Sequence, residues 1–261
     1  MRLLFIRHGE PDDSIDSLTE TGRREADALA AQIRQMHPGE IYVSPLGRAR
    51  DTAAPSLRVT QQPERILDWL EEFPVRLELD QVSAELGNAF SPSAMSHDND
   101  NRRHVPWDMY PSFYIAHPEY YMAQTGNWRK SEVAEVTDFE KVYDYVTGSF
   151  DAFLAERGYV KDGIYYRAEK ANEETYTFFC HFGITCVFLS RLWNVSPFFL
   201  WHTLVTAPTS VTEVVTEERE KGIAIFRTLR IGDVSHLHAA GMEPSFAARF
   251  CETYDNMSQR H

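Results

Sequence analysis

The chain opens on an apolar run, Leu3-Leu4-Phe5-Ile6, as a strand buried on both faces requires. Arg7-His8-Gly9-Glu10-Pro11 breaks it. From Thr19 to Met36 the apolar positions Ala26, Leu29, Ala30, Ile33 and Met36 follow helical spacing, with Thr19 or Thr21 as N-cap. Pro38-Gly39 ends this helix, and Glu40-Ile41-Tyr42-Val43 reads as a second strand. Ser44-Pro45 supplies an N-cap followed by Pro at the first helical position. The short helix it starts runs through Arg48 and Arg50 to Pro55. A third strand is expected near Arg65 to Leu67.

Residues 73–135 lose this periodicity and gain Pro, Asn, Asp and Ser. Aromatic residues are dense there: Trp107, Tyr110, Phe113, Tyr114, Tyr120, Tyr121 and Trp128. The pattern predicts an inserted, aromatic-rich cap or lid with its own small core, since a structureless loop of this length is improbable. Regular patterning then resumes. Thr137-Asp138-Phe139-Glu140 matches a capping box, and the helix behind it runs to Gly158. Thr175 to Cys180 reads as a strand, Ile184 to Trp193 as an apolar helix, and Ser196-Pro197 as another helix start. Ser210–Thr216 and Ile223–Leu229 read as a strand pair. The whole predicts one α/β domain over residues 1–261: a three-layer α/β/α sandwich, mostly parallel in its central sheet, with the insertion at 73–135.

Composition narrows the function classes. Lys and Arg number 26 against 39 Asp and Glu, giving a formal charge of −13. That field repels polyphosphate backbones and argues against nucleic acid as a partner. No apolar run reaches the length of a membrane span, and the start is too short for a signal peptide. Three cysteines, Cys180, Cys186 and Cys251, lack metal-type spacing and fit a reducing, cytoplasmic setting. Oligomeric state is not legible.

Two predicted strands end in a histidine, at Arg7-His8-Gly9 and at His181-Phe182-Gly183. Ligand sites of open α/β sheets lie beyond the carboxyl ends of strands, so the two imidazoles are expected to converge. The strand Ile41–Val43 brings the helix carrying Arg48 to the same rim. Arg guanidinium groups pair bidentately with phosphate oxygens, and a helix start adds free N–H donors. The other candidates read as structure. Arg50 suits a solvated helix face. His236 and His238 have no carboxylate or Cys cluster beside them to make a metal site. Cys180 and Cys186 flank apolar segments, which suits buried thiols better than a nucleophile.

The segments MRLLFIRHGE, Leu18-Thr19-Glu20-Thr21-Gly22, Ser44-Pro45-Leu46-Gly47-Arg48-Ala49-Arg50-Asp51-Thr52-Ala53 and His181-Phe182-Gly183 together resemble the histidine phosphatase superfamily, also called phosphoglycerate mutase-like. The resemblance covers residues 1–72 and about 137–240 and omits the insertion. It implies that His8 is the nucleophile and becomes phosphohistidine, and that Arg7, Arg48 and His181 bind phosphoryl oxygens. The Phe182 backbone N–H adds to these. It implies no cofactor and no metal, two Arg and a protonated His181 serving instead. It also implies a proton donor after the third strand, at Leu70-Glu71-Glu72-Phe73. Glu72 fits the spacing, Glu71 is the alternative, and Glu78, Asp80 and Glu85 remain open. Two departures stand out: Pro11 follows Glu10 where the family usually has Thr, and Phe182 stands where it has Gly.

The expected activity is hydrolysis of a small phosphorylated metabolite. A phosphoglycerate mutase-type transferase is the alternative. In the insertion Arg102-Arg103 is the basic pair considered for holding a second anionic group. A catalytically silent binding or regulatory module is the third reading, and retention of both His and both Arg speaks against it.

Overall fold

The computed structural model describes residues 1–90, 103–121, 127–245 and 251–260. Its centre is a seven-stranded sheet. Along the chain run β1 (Arg2–Arg7), α1 (Glu20–Gln32), β2 (Glu40–Val43) and α2 (Gly47–Thr60). After the insertion come α3 (Phe139–Glu156), β3 (Tyr159–Asp162), β4 (Tyr165–Ala168), β5 (Thr175–Cys180) and α4 (Phe182–Trp193). The chain continues through α5 (Pro197–Thr203), β6 (Val211–Glu220), β7 (Ile223–Asp233) and α6 (Ser235–Ala239). The spatial strand order is β2-β5-β1-β6-β7-β4-β3.

The period of two along each central strand sorts side chains onto two cores. Leu4, Ile6, Ile41, Val43 and Phe179 face one way and pack with Leu29 of α1 and Ala53 and Leu57 of α2. Leu3, Phe5, Tyr42 and Phe178 face the other way, toward Phe150 of α3 and Phe188 of α4. There the rings stack closely, with Phe5–Phe178 at 5.4 Å and Phe150–Phe188 at 4.7 Å. Helices thus cover both faces of the sheet around β1 and β5.

The expectation of a mostly parallel sheet is corrected. Only β1–β5 and β2–β5 pair in parallel; β1–β6, β6–β7, β7–β4 and β4–β3 are antiparallel. For β6–β7 and β3–β4 the reason is local, because strands joined by the short turns Lys221-Gly222 and Gly163-Ile164 can only return antiparallel. The short strands β3 and β4 were not expected at all. The third strand near Arg65–Leu67 reduces to a single parallel bridge between Val43 and Ile66.

Helix boundaries shift for identifiable reasons. Thr19 caps α1 as expected, accepting the Gly22 N–H at 3.0 Å. Ser44 does not cap α2, which starts at Gly47 after Leu46, because its hydroxyl is engaged elsewhere in the site. The helix also passes through Pro55 to Thr60. The missing Pro N–H is offset by burial of Pro55 with Ala53 and Leu57. The Thr137 hydroxyl accepts the N–H of Phe139, and the helix begins there rather than as a full capping box.

Among the described residues the insertion shows no separate core. Phe73, Leu86, Phe90, Met109, Tyr120 and Val133 belong to the same apolar cluster as Phe5 and Phe188. Phe73 lies 5.2 Å from the Phe139 ring and Tyr120 lies 4.8 Å from Phe198. Its sparse apolar residues are too few to close on themselves and are buried instead against α3 and α5. Arg102 lies outside the described residues, as does the side chain of Arg103.

Candidate active site

The parallel pairing of β1 and β5 sets the site. Arg7 stands opposite Cys180 in register, so the next residues, His8 and His181, emerge together at the strand ends. Their ring centroids are 5.1 Å apart with planes inclined at 55°. The backbone clamps the pair: the His8 N–H donates to the Cys180 carbonyl at 2.9 Å, and Thr209 N–H donates to the His8 carbonyl at 3.2 Å. Gly9 N–H donates to the Thr52 hydroxyl at 2.9 Å, which ties the loop to α2. A Cβ on Gly9 would sit 2.7 Å from the Gly22 carbonyl oxygen, so the close approach requires glycine.

The His8 ring is buried, and its Nδ1 lies 2.7 Å from the Gly9 carbonyl oxygen. A carbonyl can only accept, so Nδ1 carries the proton and donates. The neutral ring then has its lone pair on Nε2.

His181 is fully buried, with Nε2 2.8 Å from the Ser44 hydroxyl oxygen. Its Nδ1 has no partner among the described residues. Burial, followed by the neighbouring His8, Arg48 and Arg7, pushes its pKa well below the usual imidazole value. Burial and the surrounding positive charges thus favour the neutral imidazole, against the expected protonated one.

Arg7 donates from Nη1 to the Thr206 carbonyl at 2.6 Å and lies over the Phe182 ring at 5.8 Å. Its Nε is buried without a protein partner. Burial lowers its pKa, opposed most by the charge of Glu72 and reinforced by Arg48, so these three groups share one electrostatic neighbourhood. Arg48 projects from the first turn of α2, where its Nη1 donates to Asp16 Oδ1 at 2.7 Å. The other Asp16 oxygen accepts the Gly47 N–H at 2.6 Å. The helix start expected to be open is thus occupied by a carboxylate.

Glu72 reaches the start of α4. Its carboxylate accepts N–H groups from Ile184 at 2.9 Å and Gly183 at 3.2 Å, and from its neighbour Phe73 at 2.8 Å. Glu71 is exposed. At this second helix start Glu72 thus engages the N–H groups of Gly183 and Ile184, not the expected donor, the N–H of Phe182. Phe182 occupies the first position of α4, between Arg7 and the Trp107 ring of the insertion, whose centroid is 6.5 Å away.

Asp16, Ser44 and Trp107 escaped sequence reasoning. Asp16 has a positive φ of 46°, which a sequence does not announce. Ser44 was read as a helix cap, and Trp107 was one aromatic among many. The remaining candidates take structural places. Cys180 and Cys186 are buried, and burial raises the Cys180 thiol to about 12. His236 is buried against the Thr209 hydroxyl at 2.9 Å. Among the described residues no group of three or more His, Cys, Asp or Glu is placed to hold a metal ion. Among them, too, no helix is long and apolar enough to cross a membrane.

Residues 3–105 match the model of the histidine phosphatase superfamily (branch 1). Solved structures resemble the chain over most of its length. One is a histidine-to-alanine variant of phosphoserine phosphatase from Entamoeba histolytica in complex with phosphoserine, at TM-score 0.54 and 16% identity, covering 90% of this chain and 98% of that one. A second is mycobacterial hydrolase 2, at TM-score 0.53 and 17% identity, covering 92% and 96%. A third is the mycobacterial glucosyl-3-phosphoglycerate phosphatase, at TM-score 0.50 and 19% identity, covering 87% and 96%. At these identities the likeness is one of fold. No curated protein matches the sequence.

Proposed function

We propose that this chain is a histidine phosphatase and hydrolyses small phosphomonoesters through a phosphohistidine formed on His8, a reading supported by the match of residues 3–105 to the superfamily model. The observation that carries this reading is the 2.7 Å contact between His8 Nδ1 and the Gly9 carbonyl. It holds the proton on the far nitrogen and leaves Nε2 as a nucleophile beside two arginines.

In the first step Nε2 attacks phosphorus and the bond to the ester oxygen breaks. Arg7 and Arg48 stabilise the equatorial oxygens, which carry the charge of a loose transition state. His181 donates to one of them from Nδ1, its Nε2 accepting from Ser44. Glu72 gives the leaving oxygen its proton, and the alcohol departs. Water then attacks the phosphohistidine, returns a proton to Glu72, and releases inorganic phosphate with His8 restored.

Hydrolysis is favoured over mutase-type transfer by the occupancy of the helix starts. A mutase must hold a second anionic group while the phosphoryl group moves. Here Asp16 and Glu72 already take the N–H groups of Gly47, Gly183 and Ile184. The test is hydrolysis of 4-nitrophenyl phosphate in the presence of a chelator. It is paired with 3-phosphoglycerate and analysis of its products for isomerisation. Phosphate release that disappears in His8→Ala supports the reading. Isomerisation without release, or full activity in His8→Ala, overturns it. Absence of both reactions on a broad panel of phosphomonoesters would favour a silent binding module.

A further inference from the structure

The wall beside the phosphoryl position is aromatic. Phe182 directly follows His181, and its ring receives the Arg7 guanidinium at 5.8 Å. The Trp107 ring, supplied by the insertion, meets Phe182 edge to face at 6.5 Å and Trp201 at 5.3 Å. It lies so close to the start of α4 that a Cβ on Gly183 would come within 2.8 Å of its Cη2. Trp201 fixes the arrangement from behind by donating its indole N–H to the Gly183 carbonyl at 3.0 Å. Trp201 is buried, whereas Phe182 and Trp107 keep part of their surface open.

Glu72 sits against Gly183 and takes its N–H. A substrate whose phosphoryl group lies on Arg7 extends its organic part from a point adjoining the Phe182 ring. A carboxylate on that part would lie against aromatic carbon, with the Gly183 and Ile184 N–H groups already taken by Glu72. A flat apolar group would instead bury surface against two rings.

Resting on the phosphatase reading, we infer that Phe182 and Trp107 select phosphomonoesters whose organic group is aromatic or otherwise apolar and uncharged. They discriminate against esters that carry a carboxylate near the phosphoryl group. The insertion determines specificity through Trp107, and the catalytic strand ends determine it through Phe182.

Two non-hydrolysable probes test this without relying on turnover. Benzylphosphonate and phosphonoacetate share the phosphonate head and differ in carrying a phenyl ring or a carboxylate. Calorimetric titration of the wild-type protein is expected to show benzylphosphonate binding at least about tenfold more tightly. Trp107→Leu and Phe182→Leu keep apolar bulk while removing the ring, and each is expected to reduce that ratio severalfold. Thermal melts establish that both variants fold, and if Trp107→Leu does not, Trp107→Phe replaces it with a smaller loss expected. Equal binding of the two probes, or an unchanged ratio in both folded variants, overturns the inference. The phosphatase reading fails separately, if the protein turns over no ester. In that case, a benzylphosphonate preference that depends on Trp107 still supports the aromatic wall.

Discussion

Asp16 holds Arg48 by a 2.7 Å ion pair while its other oxygen caps the Gly47 N–H. The carboxylate therefore fixes the guanidinium and occupies the helix start beside it. Asp16→Asn tolerates the positive φ at this position and keeps an acceptor for Gly47, but removes the charge. It is expected to lower kcat/KM for 4-nitrophenyl phosphate by about tenfold, the scale of one charge-assisted hydrogen bond. Tighter binding of orthovanadate in this variant would show instead that Asp16 competes with the phosphoryl group for Arg48.

Ser44 governs His181 in a similar way. Its hydroxyl is 2.8 Å from Nε2, and the ring has no other protein partner at Nδ1. Ser44→Ala leaves the imidazole free to change tautomer and is expected to reduce kcat about tenfold with little change in thermal stability. Ser44→Thr, which restores the hydroxyl, is expected to recover most of the activity. Loss in both variants alike would assign Ser44 a packing role only.

Glu72 as proton donor makes a prediction about leaving groups. Glu72→Gln is expected to slow an alkyl phosphate such as glycerol phosphate by about 100-fold or more, the range of general-acid catalysis. An activated aryl ester needs no protonation and is expected to slow only severalfold. Equal slowing of both esters would mean that Glu72 serves chiefly to cap α4 through Gly183 and Ile184.

Buried histidines set the response of the fold to acid. His181 is pushed well below its ordinary value by burial, and His202 and His236 are lowered to about 4 by the same cause. The unfolded chain binds these protons near pH 6.5 and the folded chain does not. Between about pH 6.5 and 4 the unfolded state holds more protons, so stability is complete above 6.5 and is lost as pH falls. Each histidine contributes a slope of about 1.4 kcal/mol per pH unit within that window. Burial raises the Glu25 carboxyl above 4.5, which opposes this trend near the acid end. Urea midpoints measured across the window are expected to fall toward acid, and His236→Gln is expected to make the fall shallower. Midpoints that do not change between neutrality and pH 5 would contradict this account.

The strands and helices that build the site were legible because their burial is complete. Leu3–Ile6 and Thr175–Cys180 are apolar on both faces and flow directly into His8 and His181, and the structure brings those histidines together. Sheet polarity was less legible, because the apolar pattern of β6 and β7 is compatible with either direction and the turn decides it. The partners of the site residues were not legible. Asp16 lies 32 residues before Arg48 and Ser44 lies 137 before His181, separations that no local pattern encodes. The insertion misled for a different reason. Its aromatic residues follow no helical or strand period, and only the structure shows that Phe73 and Tyr120 complete the main core while Trp107 reaches α4.

The covalent step on His8 is the point on which the functional account turns. Rapid mixing with a phosphomonoester, a denaturing alkaline quench and mass spectrometry of the resulting peptides measures it directly. A phosphoryl adduct on the peptide carrying His8, formed within one turnover and absent in His8→Ala, is the predicted result. Turnover with no adduct at His8, or an adduct that persists on another residue in His8→Ala, would contradict it.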